Sequence, residues 1–275
     1  LVSFGVHAPE TMLTAVRGIA ALGTLGAGWL AARRFDWIGP VYVLALGAAC
    51  ACAPRAEVGS RWFGSIRPPA ATVLRFNNGT EPETTDPSVM SGQPDGHIAK
   101  ILFEGLTEYD PQTLLPVPGQ AYRWDVSADG LVYTFHLRPG LVWSDGTPLA
   151  ADDFVWSWRR VLSPRTGSRG AALLYPIAHA EDYNTGATGD STAVGVAAPD
   201  DSTFVVTLRA PTPWFLFLTS HYNFLPVPRR CIERFGARWT EPAHVVSNGA
   251  FTLARHRQNE KYVFVKNPRY WAAPE

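Results

Sequence analysis

Residues 122–154 read YRWDVSADGLVYTFHLRPGLVWSDGTPLAADDF, and the order of aromatics, turns and apolar alternation in this stretch decides the fold. Asp129-Gly130 is a turn dipeptide. Beyond it Tyr133, Phe135 and Leu137 alternate with Val132, Thr134 and His136, the two-residue period of a strand with one buried face. Pro139-Gly140 ends this hairpin arm, and Ser144-Asp145-Gly146 makes a second turn before Thr147-Pro148 sets up a helix. Asp152 and Asp153 in the first helical turn, with Arg159 and Arg160 in the last, suit the helix dipole. Phe154, Val155, Trp158, Val161 and Leu162 recur on one face, and Ser163-Pro164 is the predicted stop.

Working outward, further short motifs follow in order. Arg75-Phe76-Asn77-Asn78-Gly79, Glu81-Pro82, Asp86-Pro87 and Leu102-Phe103-Glu104-Gly105-Leu106 precede the stretch. Val194-Gly195-Val196, Asp200-Asp201, Thr207-Leu208 and Pro211-Thr212-Pro213-Trp214-Phe215 follow it. Pro226-Val227-Pro228-Arg229, Val246-Ser247-Asn248-Gly249-Ala250-Phe251 and Asn267-Pro268-Arg269-Tyr270-Trp271 complete the series. Together with W-x-V-S-x-D-G-x-x-Y-x-F-x-L-R, W-S-D-G-x-P and A-x-D-F, this series resembles the extracytoplasmic solute-binding proteins of family 5, the peptide receptors of ABC importers. The resemblance runs from Val73 to Ala272. It implies a first strand and its loop from Arg75, a helix at Leu102–Leu106, and a strand and an aromatic helix between Val194 and Phe215.

Composition agrees with that class. The chain has 275 residues, 46% of them hydrophobic and 12% aromatic, with a formal net charge of +0. It is long enough to bury a sizeable core, and it offers no electrostatic pull toward nucleic acid. Three cysteines, at Cys50, Cys52 and Cys231, make neither a disulfide framework nor a zinc-site spacing. No metal and no cofactor are expected. Nucleophile-elbow, zincin, phosphate-loop and dinucleotide motifs are all missing from the sequence, so no catalytic residue is assigned.

Residues 1–54 form an apolar export or anchor region. Arg33-Arg34, the apolar run Ile38–Leu46 and Gly47-Ala48-Ala49-Cys50 fit a secretory signal better than a membrane span, which needs roughly 20 apolar residues. Cys50 and Cys52 are lipidation candidates of the bacterial lipoprotein kind, or else small apolar residues of the signal core. Residues 55–71, with Pro68-Pro69, read as a linker.

The resemblance implies a mixed α/β fold, the first lobe of a periplasmic binding protein with a mixed sheet and an inserted smaller subdomain. Residues 72–103 and 228–275 would form the main subdomain and 104–227 the insertion, with a second lobe absent from this chain. An open sheet edge or a poorly covered apolar face is expected where that lobe would join. It further implies a monomer that captures an oligopeptide outside the cytoplasmic membrane, free or lipid-anchored, and delivers it to an ABC permease. The same fold serving a sugar, haem or nickel chelate is one alternative, and a secreted carboxylate-based hydrolase or a non-binding remnant is another.

The ligand-facing positions carried over by the resemblance are Ser91 and Gln93 after Asp86-Pro87, and Asn248-Gly249 at the lobe crossing. Ser91 stands where the oligopeptide branch has a carboxylate, and Gly170 where it has a tyrosine, so recognition of a peptide ammonium group is placed in doubt. Asn-Gly and Ser-Gly also read as ordinary turns. Most of Trp143, Trp156, Trp158, Trp214, Trp239 and Trp271 are expected in the core, and His136 on a solvated strand face. Asp152-Asp153 and Asp200-Asp201 read as a helix start and a turn, not as catalytic pairs.

Overall fold

The structure, a computed structural model, describes residues 73–273. The predicted export region, Cys50, Cys52 and the linker lie outside the described residues. Residues 75–273 belong to one compact unit. Among the described residues no helix is long and apolar enough to cross a membrane.

The 122–154 stretch folds as its pattern requires. Strand β3 (Ala121–Val126) turns at Gly130, φ +70°, into β4 (Val132–Leu137), pairing Trp124 with Phe135 and Val126 with Tyr133. Tyr133, Phe135 and Leu137 are buried and their neighbours half-buried. Two later strands, β5 (Val196–Asp200) and β6 (Thr203–Thr207), complete a four-stranded antiparallel sheet in the order β3-β4-β6-β5. Its buried face meets helix α2 (Ala151–Leu162), which presents Phe154, Val155, Trp158, Val161 and Leu162. Trp158 lies edge-on to Phe204 at 4.9 Å and to Phe224 at 5.0 Å, and its indole N–H donates to the Phe224 carbonyl at 2.8 Å. Such ring pairs add roughly 0.5–1.5 kcal/mol each beyond area burial.

The helix ends follow from local chemistry. The carboxylate of Asp153 accepts the Ala150 N–H at 2.9 Å, so this acid caps α2 as its position suggested. At the far end Ser163 turns extended, with ψ 128°, as the residue before proline prefers. Asp200 accepts from the Ser202 N–H and hydroxyl at 2.8 and 2.7 Å, closing the β5–β6 turn.

Around this layer stand α1 (Gln93–Leu102), the short hairpin β1 (Thr107–Tyr109) with β2 (Pro116–Pro118), and the hairpin β7 (Phe251–Arg257) with β8 (Lys261–Lys266). Helices α3 (Ala180–Thr185), α4 (Phe215–Leu218) and α5 (Arg229–Phe235) are short. Every ladder among the described residues is antiparallel. Among the described residues Phe76, Phe251 and Val265 are exposed apolar side chains.

Three readings are corrected. The Leu102–Leu106 segment is not a helix: α1 ends at Leu102, Phe103 is extended, and Gly105 runs so close to Thr219 that a Cβ would lie 2.8 Å from its carbonyl oxygen. Residues 73–78 carry no strand ladder. Trp143, Trp158 and Trp239 are core residues, but Trp214 is 59% and Trp271 39% exposed. Trp214 stands just before α4, and it is the adjacent Phe215 that enters the core there.

Candidate functional site

The loop between Asp86 and Gln93 is built from the inside. Asp86 receives both terminal nitrogens of Arg160, at 2.9 and 2.6 Å, and the Trp239 indole N–H at 3.3 Å, so the loop is tied to α2 by a bidentate, largely buried pair. Asn223 donates its amide to the carbonyls of Pro87 and Met90 at 2.9 and 3.3 Å. Asp95 accepts from the backbone N–H of Gly92 at 3.2 Å and caps α1.

This scaffold leaves Ser91 and Gln93 exposed at the start of α1. The Ser91 hydroxyl accepts from Arg169 at 3.2 Å, and the same Arg169 nitrogen lies 3.3 Å from Glu83. The adjacent Gly170 is not an empty place. A Cβ there would overlap the Asn223 carboxamide, so the missing side chain leaves room for the amide that fixes the loop.

Asn248 and Gly249 sit at the other end of α1. Asn248 is buried; its oxygen accepts the Glu104 N–H at 3.2 Å and its amide donates to the Glu104 carbonyl at 2.9 Å. The Gly249 N–H donates to the Leu102 carbonyl at 2.8 Å, and its own carbonyl accepts from Asn267 at 2.9 Å. The structure therefore does not bring the two candidate pairs together. They are separated by the length of α1, about 15 Å for ten residues.

Beside Asn248, past the carboxyl-terminal end of α1, lies a cluster that sequence reasoning missed. Glu104 is buried, and its carboxylate takes the Gln120 amide, the Tyr270 hydroxyl and the Trp271 indole N–H, each at 2.5 Å. Burial pushes the Glu104 carboxyl above the usual range against the pull of those donors, and nearby Glu108 adds to the rise. Arg138 stacks 3.5 Å over the Trp271 ring and donates to the Gly119 carbonyl at 2.7 Å. No local signal marks the cluster, because its donors come from 16, 166 and 167 residues away. Among the described residues no group of three or more His, Cys, Asp or Glu could hold a metal.

The chain belongs to the bacterial extracellular solute-binding proteins, family 5, whose middle-region model matches residues 116–275. It is 44% identical over 202 residues to the periplasmic oligopeptide-binding protein OppA of Salmonella typhimurium, covering 73% of this chain and 36% of that protein. It is 42% identical over 202 residues to the probable deoxycholate-binding periplasmic protein YgiS of Escherichia coli, covering 72% of this chain and 37% of that protein. The crystal structure of Haemophilus influenzae OppA in complex with the peptide RPPGFSPFR matches with a TM-score of 0.69 and 40% identity, over 71% of this chain and 38% of that one. The chain thus spans little more than a third of the length of these relatives.

Proposed function

We propose that the protein containing this chain captures short peptides outside the cytoplasmic membrane and passes them to an ABC permease, acting as a monomer and without chemistry of its own. The observation that carries this reading is the 44% identity over 202 residues to an oligopeptide-binding protein. The likeness to an OppA structure holding a nonapeptide supports it further. In this reading residues 72–103 and 228–275 form the main part of one lobe and 104–227 its insertion. Residues 1–54 direct export, residues 55–71 link, and Cys50 or Cys52 carries a lipid anchor.

Peptide contact is assigned to Ser91 and Gln93, which the loop presents to solvent. Asn248 and Gly249 contribute by fixing the far end of α1. Ser91 is a neutral hydroxyl held by Arg169, and Ser91 and Gln93 can each donate to or accept from a peptide main chain, with the Glu83 carboxylate on the same Arg169 nitrogen.

Calorimetry with a library of short peptides against the full-length protein tests the reading. Binding of peptides is expected; a sugar, haem or metal chelate that binds where no peptide does overturns it. Residues 55–275 alone are expected to bind peptides weakly at most, since one lobe buries only part of a ligand.

A further inference from the structure

The outer face of α2 borders a groove of about 370 Å³ whose chemistry the peptide reading does not use. Ser91, Gln93, Asn248 and Gly249 are all absent from its walls. Its floor is Arg159. This guanidinium makes one hydrogen bond, to the Val196 carbonyl at 3.2 Å, and its Nε is buried with no partner. Among the described residues it has no carboxylate within ion-pair distance.

Ser163, Thr166, Tyr183 and Ser191 line the same groove; all four are half-buried, and none of their hydroxyls is bonded to another described side chain or to the backbone. Trp156 supplies an apolar wall. Two further arginines line the groove but are already paired, Arg160 with Asp86 and Arg229 with Glu233. They add positive field without offering all their donors. One acid, Asp152, is exposed on the wall, and Asp190 lies close enough for Arg159 to help hold its carboxyl below the usual range, behind the larger effect of its bonds to Thr192.

Nε is shielded from the groove, so it is the terminal nitrogens of Arg159 that a ligand there would reach. A guanidinium without an ionic partner, in a groove also lined by four unengaged hydroxyls, supplies the donor types a tetrahedral oxyanion takes: the terminal guanidinium nitrogens for some oxygens and hydroxyls for the others. The volume falls within the range of about 300–1,000 Å³ typical of ligand sites. We propose that this groove is a second binding site, for a phosphate group carried by a small ester or by a lipid headgroup. It does not depend on peptide capture.

The test uses the full chain. Inorganic phosphate is titrated against the wild type, Arg159→Gln and Ser191→Ala by calorimetry, with chloride at matched ionic strength as the control, and sedimentation with phosphatidylglycerol vesicles runs alongside. Thermal melts check that each variant is folded. Binding at least tenfold weaker in Arg159→Gln and about threefold weaker in Ser191→Ala is expected. Phosphate binding without vesicle association points to a soluble ester, and vesicle association lost in Arg159→Gln points to a headgroup. Absence of both in the wild type, or equal binding by folded Arg159→Gln, overturns the proposal. Ser191→Ala keeps the test open if Arg159→Gln does not fold. Peptide titration of the same variants is expected to be unchanged, so failure of one site is separable from failure of the other.

Discussion

Replacement of Glu104 tests the cluster at the end of α1. In Glu104→Ala three donors lose their acceptor. Gln120 is 1% exposed, so its amide bears the full penalty of an unsatisfied buried donor, about 1–3 kcal/mol. Tyr270 and Trp271 are partly exposed, and water can replace the carboxylate there. For these the loss falls to about 0.5–1 kcal/mol each, below the usual value for bonds to a charged acceptor. The sum is about 3 kcal/mol, or a melting temperature lower by about 6–12 °C for a domain of this size.

Glu104→Gln is the informative contrast. Its oxygen can accept from Gln120 and Trp271 while its amide donates to the Tyr270 hydroxyl, which is able to accept, so the geometry survives without a buried charge. The sign of the pH dependence follows from the raised carboxyl. Between the ordinary value of 4.5 and the higher folded value, the native state binds more protons than the unfolded one. Stability contributed by this group is therefore greatest below 4.5 and declines as pH rises through the folded value. Urea denaturation of the full chain from pH 4 to 8 is expected to show wild type losing stability relative to Glu104→Gln as pH rises. A loss below 1 kcal/mol in Glu104→Ala, or a wild type-to-Gln difference independent of pH, refutes the reasoning.

Gly249→Ala drives a Cβ to 2.7 Å from the Leu102 carbonyl and 2.9 Å from the Phe103 nitrogen, and backbone cannot yield as a side-chain tip can. A loss of at least about 2 kcal/mol in urea denaturation is expected. Gly170→Ala displaces the Asn223 amide from Pro87 and Met90 and costs about 1–3 kcal/mol. In a double-mutant cycle with Asn223→Ala the two losses should be clearly less than additive. Burial, with the Lys100 charge second, pushes His221 down to about 4, so the unfolded state binds more protons between pH 6.5 and 4. This residue's contribution is lost as pH falls through that window, and a pH titration of stability in His221→Asn should lack the step.

The sheet and α2 were legible because their signals are local. Alternation at period two, Gly130 and Gly146 at positive φ, and Asp153 capping its own helix all lie within a few residues of what they determine. The misread elements depend on distant partners. Leu102–Leu106 has helix-compatible residues, yet Gly105 must pass against Thr219 and Glu104 must meet Tyr270 and Trp271, which pull the backbone out of the helix. Trp271 reads as a core aromatic by its size, but it is held at the surface by a carboxylate on its edge and Arg138 on its face. Arg159 reads as a base at a helix end, and nothing in the sequence announces that it lacks an ionic partner.

The two candidate pairs at α1 then acquire different meanings. Asn248 and Gly249 have their amide and main-chain groups engaged with Leu102, Glu104 and Asn267, so they lock the carboxyl-terminal end of the helix to the β7 segment. At the amino-terminal end, Asp86, Asp95 and Asn223 immobilise the loop backbone while Ser91 and Gln93 remain exposed. A ligand meeting that loop would have to order only two side chains, Ser91 and Gln93. The entropy cost of the contact, about 0.5–1.5 kcal/mol per immobilised side chain, is correspondingly small. Under the proposed peptide reading the buried polar bonds around α1 act without touching ligand, and Gly170→Ala is expected to weaken peptide binding by the full-length protein as much as Ser91→Ala does, which the same calorimetry measures.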